Sequence, residues 1–106
     1  MHARRVYVHL KPNSSAEFTQ KLEKEIIPVL RKQKGFLDEL TFVGPSGIEA
    51  FAISLWDTPE SAEAYGRVSY PGVAKSLATV IDGLAQVESF NVVNSTFHKI
   101  AAGVGV

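Results

Sequence analysis

The sequence contains no cysteine. This excludes disulfides, thiolate metal sites, cysteine-bound iron–sulfur clusters and cysteine nucleophiles, and it fits a reducing compartment. Charge of one sign is also missing: eleven Lys and Arg stand against eleven Asp and Glu, and the largest basic run is Arg31 to Lys34. Such a chain lacks the electrostatic footprint that holds nucleic-acid backbones or anionic membrane surfaces, so no nucleic acid and no membrane is expected as a partner. No segment approaches the ~20 apolar residues of a membrane span. The start MHARRVYVHLKP has no uninterrupted apolar stretch like that of a signal peptide, and a cytoplasmic protein is expected. There is no Gly-rich nucleotide loop. What is present is an ordinary globular composition, 45% apolar and 21% charged over 106 residues, enough for one small domain with a modest core. We expect a single domain over 1–106, ordered from about 4 to 100, with a loose tail at 101–106.

Between Arg5 and Lys11 the chain alternates Val6, Val8 and Leu10 with Tyr7 and His9, the period of a strand. Ser14 followed by Glu17 predicts a capping box and a helix start. Phe18, Leu22, Ile26, Val29 and Leu30 then share one helical face, with Pro28 predicting a kink near Ile27 and Gly35 a stop. Leu37 to Val43 and Glu49 to Trp56 flank a Gly-Pro-Ser-Gly turn and predict a hairpin. In its second strand only Ser54 interrupts an apolar surface on both sides, which predicts burial on both. Thr58-Pro59 caps a second helix, whose stripe of Ala62, Tyr65 and Val68 is interrupted at Tyr70-Pro71-Gly72 and resumes through Val73, Leu77, Val80 and Ile81. Ala85 to Ile100 is rich in β-branched and aromatic residues and predicts one long last strand.

The element order is βαββαβ, the α+β pattern of ferredoxin-like folds: a four-stranded antiparallel sheet with two helices on one face. The helices leave the other sheet face bare, and Tyr7, Trp56 and either Val92 or Val93 are expected on it. A bare apolar face of this kind predicts an isologous homodimer through the sheets.

Three segments carry a resemblance to a known family. The helix end EIIPVLRKQKGF, the strand and helix start FAISLWDTPESAEAY, and the broken helix YPGVAKSL together resemble the antibiotic-biosynthesis-monooxygenase-like proteins, which are dimeric α/β barrels; with the element order, the likeness spans residues 5 to 99. The resemblance implies oxygenation of a quinol-like or polycyclic aromatic compound without a bound cofactor. In the anthrone-oxygenating members an Asn stands four residues before the Trp, where this sequence has Ala52. In the haem-degrading members an axial His and a Trp occupy the places of Lys75 and Tyr65, which disfavours haem degradation. The alternative is a non-catalytic homodimeric binding or accessory module of the same fold for a hydrophobic small molecule.

The candidate residues follow from chemistry. Trp56, Tyr65 and Tyr70, three aromatics with polar tips, suit a flat aromatic ligand. Cofactor-free oxygenation needs a base and donors to a developing oxyanion, for which His9 and Asn94 are the catalytic candidates. No metal is expected: with strands one and four antiparallel, His9 and His98 stand roughly 13 Å apart, too far to share an ion.

Overall fold

The structure is a computed structural model and describes residues 1–97; the expected tail, and His98 with it, lies outside the described residues. Strand β1 (His2–His9) leads through a Pro12-Asn13 turn into helix α1 (Ser15–Lys21), a π-helical turn (Leu22–Ile26) and α2 (Ile27–Arg31). Strands β2 (Phe36–Val43) and β3 (Glu49–Trp56) form the hairpin, α3 (Pro59–Val68) and α4 (Tyr70–Leu77) follow, and β4 (Gln86–Asn91) closes the sheet. The strands lie in the order β2-β3-β1-β4, antiparallel throughout. This is the ferredoxin-like architecture that the element order predicts.

Proline and glycine set the local geometry. Pro28 has no N–H to offer the turn before it, and the helix widens to π-type spacing over Leu22–Ile26 before resuming, the disturbance expected near Ile27. Phe18, Leu22, Ile26 and Leu30 nevertheless stay buried on one side. Thr58 caps α3 as expected, its Oγ1 accepting from the Ser61 N–H at 3.1 Å. The capping box at Ser14 does not form. Its hydroxyl turns back to the Pro12 carbonyl at 3.4 Å, drawn into the tight turn where Asn13 adopts φ +60°.

The sheet has two chemically different faces. Toward the helices point Val6 and Val8 of β1, opposite Ala52 and Ala50 of β3, with Ser54 and Trp56 further along. Small residues on this face leave room for the helices to approach, and Trp56 is fully buried there. This corrects the expectation that Trp56 sits on the bare face: it is in phase with Ala50, Ala52 and Ser54, and phase decides the side. The bare face carries the larger side chains, Tyr7 opposite Phe51 and Arg5 opposite Ile53, with Leu40 and Phe42 of β2 exposed on it. Val92 and Val93 fall after the last strand, which is shorter than expected: β4 pairs only with β1, and Asn91 already meets His2, near the start of its partner.

Candidate functional site

Between the helices and the sheet lies a hollow of ≈ 500 Å³ of atom-free space including its mouth, of which ≈ 50 Å³ admits the centre of a water molecule. A single ordered water needs about 10–15 Å³ on that measure. The sheet contributes Arg4, Val6, Val8, Glu39, Ala52 and Ser54 to its wall, and the helices contribute Phe18, Leu22, Ile26, Leu30, Tyr65, Tyr70, Val73 and Leu77. An apolar wall with a few convergent polar groups is the usual form of a small-molecule site.

Those polar groups stand in one row. Ser54 on β3 is paired with Arg4 on β1 and with Glu39 on β2, so three polar side chains cross the helix-facing side at one level. Arg4 is 7% exposed. Its guanidinium lies 4.1 Å from the ring centre of Tyr70 and 5.3 Å from that of Tyr65, and none of the ion pairs among the described residues includes it. Burying a charge costs several kcal/mol, whereas a cation–π contact returns about 0.5–2 kcal/mol. Burial accordingly lowers the pKa of Arg4. Glu39 is half-buried and accepts a hydrogen bond from Thr41; burial raises its pKa, and the Thr41 hydroxyl offsets part of the rise.

Tyr65 is buried, and desolvation pushes its phenol up to about 12; Tyr70, half-buried at the start of α4, is raised by the same cause. Both stay protonated at neutral pH and can donate. Tyr65 stacks on Trp56 with centroids 5.1 Å apart and planes at 29°, and meets Tyr70 edge-on at 6.2 Å. The three aromatics singled out in the sequence thus come together. Their roles differ: Tyr65 and Tyr70 line the hollow, while Trp56 lies behind Tyr65, its indole N–H donating to Ser54 Oγ at 2.8 Å.

His9 and Asn94 are not brought to this group. His9 points to the bare sheet face, more than half exposed, where the Tyr7 hydroxyl is 3.2 Å from its Nε2 and donates to Glu49 at 2.8 Å. Asn94 is exposed beyond the end of β4. Alternation explains the first placement, because His9 shares the phase of Tyr7 rather than that of Val8. Arg4 and Glu39 are the residues that sequence reasoning missed. The signal for Arg4 was present: stepping back by twos from Leu10, Val8 and Val6 reaches Arg4, a charge in phase with the core. Glu39 sits past an irregularity at Leu37, where Phe36 pairs with Trp56 and Asp38 already with Leu55, and such a bulge breaks the simple alternation.

A helix-covered antiparallel sheet with a cavity between the two layers defines a structural class, and comparison with solved structures gives it a name. Compared by sequence, the chain matches no family profile and no curated protein. By structure it is similar to a monooxygenase of the gene ActVA-Orf6 of Streptomyces coelicolor, solved in complex with nanaomycin D, with a TM-score of 0.76 over 92% of each chain at 10% identity. It is similar also to SnoaB, a cofactor-independent oxygenase from Streptomyces nogalater (TM-score 0.71, 12% identity, 90% of this chain and 95% of that one). A third is a structure from Nitrosomonas europaea assigned to the antibiotic-biosynthesis monooxygenases (TM-score 0.72, 12% identity, 89% and 100%). The chain has the antibiotic-biosynthesis-monooxygenase fold, as the sequence resemblance implies. Among the described residues no helix is long and apolar enough to cross a membrane.

Proposed function

We propose that the protein is a cofactor-independent monooxygenase-like enzyme that acts on a small quinol-like or polycyclic aromatic compound held between sheet and helices. The observation that carries this reading is the hollow itself: an apolar slot walled by Tyr65 and Tyr70 and crossed at one level by Arg4, Ser54 and Glu39. Its fold neighbours that are oxygenases support the chemistry.

In such a reaction the substrate supplies the electrons. A ring CH2 loses a proton to a base, the carbanion passes one electron to O2, and the two radicals combine. Protonation gives a hydroperoxide, which loses water and leaves a carbonyl; a ring CH2 and O2 become a ring C=O and H2O. Glu39 is the wall residue suited to take the proton, since a carboxylate with a raised pKa is the stronger base. The protonated phenols of Tyr65 and Tyr70 are donors to the oxygen on which charge develops. Trp56 serves by holding Tyr65 in place. His9, on the bare face, belongs to the surface through which we expect two copies to pair, sheet against sheet. A cytoplasmic location is part of the reading and rests on the cysteine-free composition.

The test is oxygen uptake over a panel of anthrones and quinols, with binding followed by Trp56 fluorescence. Uptake that falls at least tenfold in Glu39→Gln supports the enzyme. A non-catalytic binding module is the second reading, favoured by Ala52, which leaves that point of the wall without an amide; saturable quenching of Trp56 without oxygen uptake across the panel would establish it instead.

A further inference from the structure

We propose that Arg4 is the counter-ion of an anionic oxygen on the ligand, so that the hollow selects aromatic compounds carrying a carboxylate or an ionised phenol. The inference rests on the hollow being a ligand site and specifies what enters it.

The position of Arg4 is unusual for its chemistry. It occupies a core-phase position of a strand flanked on both sides, it is 93% buried by its 7% exposure, and its side chain forms part of the wall. A guanidinium carries five donors in a planar fork suited to two oxygens of one anionic group. Here that fork meets the rings of Tyr65 and Tyr70 and the Tyr70 hydroxyl, which are neutral, and among the described residues it meets no carboxylate. Glu39, in the same row two strands away, is not within ion-pair distance of it. The ring faces of Tyr65 and Tyr70 fix the cation without neutralising it. On the side of α3 there is no side chain in the way: a Cβ on Gly66 would lie 3.6 and 3.7 Å from the Arg4 nitrogens Nε and Nη2, so the guanidinium rests directly against that helix. The result is a preorganised, desolvated positive charge beside an apolar slot. Buried charges of this kind discriminate strongly between an anion and its neutral isostere, because the neutral compound leaves the cation without an anionic partner.

The same site explains why an aromatic anion, rather than inorganic phosphate, is the ligand class. Apart from Arg4 the wall has no second cation, and most of it is aliphatic or aromatic; an ion without an apolar body would exchange its hydration for a single guanidinium.

The probes are 2-naphthoate and its uncharged isostere 2-naphthamide, with binding to the full chain measured by calorimetry and by Trp56 fluorescence. The expected result is that the acid binds about tenfold or more tighter than the amide, and that this ratio falls to near one in Arg4→Met and is partly kept in Arg4→Lys. 2-Naphthol separates the two sources of charge: if an ionised phenol is accepted, its absorbance titration shifts to lower pH on binding to the wild type and not to Arg4→Met, whereas a carboxylate-only site leaves it unshifted. Equal affinities of acid and amide for the wild type would overturn the role of Arg4 while leaving the hollow a ligand site. Binding of neither would overturn the hollow as well. The wild-type comparison needs no variant, so it decides even if Arg4→Met folds poorly.

Discussion

The indole N–H of Trp56 donates to the hydroxyl of Ser54, two residues back on the same strand, at 2.8 Å, and Ser54 in turn reaches the Arg4 carbonyl at 3.4 Å. A fully buried indole thereby meets its one polar requirement inside the core. Ser54, which interrupts an otherwise apolar strand, is there for Trp56. The Ser54→Ala variant is expected to lose about 1–3 kcal/mol of stability, the cost of leaving a buried donor unpaired. Urea denaturation followed by Trp56 fluorescence measures it, and a loss well below that range would mean that the indole finds another acceptor.

Gly35 ends the first helical stretch with φ +82°, and a side chain there would run into Asp57 Oδ1 and Ser61, whose Cβ would be 2.6 Å away. Gly47 in the hairpin turn has φ +76° but nothing within 4 Å. Gly35→Ala is therefore expected to cost more than the ~1–2 kcal/mol of the left-handed conformation alone, and Gly47→Ala no more than that. Thermal unfolding of the two variants side by side checks the difference. Equal losses would show that Asp57 and Ser61 move aside freely.

Tyr65 titrates near 12 in the folded protein because burial disfavours its phenolate, whereas an unfolded tyrosine titrates near 10. Between those values the unfolded chain has released a proton that the folded chain still holds, so stability falls as pH rises. The contribution is intact below about pH 10 and is lost as pH rises toward about 12, by roughly 2–3 kcal/mol. The wild type should lose that much relative to Tyr65→Phe over this window, read from denaturant midpoints at each pH. Parallel curves for the two proteins would contradict the burial of the phenol.

The bare sheet face carries Leu40 and Phe42 at 44% and 43% exposure, and Phe42 stacks on Phe51 with centroids 4.8 Å apart. Arg5 lies over the rings of Tyr7 and Phe51 and is tied to Glu88 at 2.6 Å. A second copy packed on this face would cover these rings. Light scattering is expected to give twice the chain mass at micromolar concentration, and Leu40→Asp with Phe42→Asp to give a monomer with an unchanged circular-dichroism spectrum. A monomeric wild type would rule out the sheet-to-sheet dimer.

Much was legible in advance because it is local. The strand period in β1 and β3, the Thr58-Pro59 cap, the Pro28 disturbance and the Gly-Pro-Ser-Gly turn each depend on a few neighbouring residues, and together they determine the order βαββαβ and hence the sheet. Which sheet face the helices cover was not local: Trp56 went to the covered side because the small residues in phase with it admit a helix, and only the packed layers choose between two apolar faces. The length of β4 was decided by where its partner begins. The chemistry of the site was least legible of all, since Arg4, Ser54 and Glu39 lie on three strands and become one row only through sheet register. Sequence determined the elements through backbone propensity and periodicity; tertiary structure alone decided the site, because burial and juxtaposition belong to the assembled layers and to no single segment.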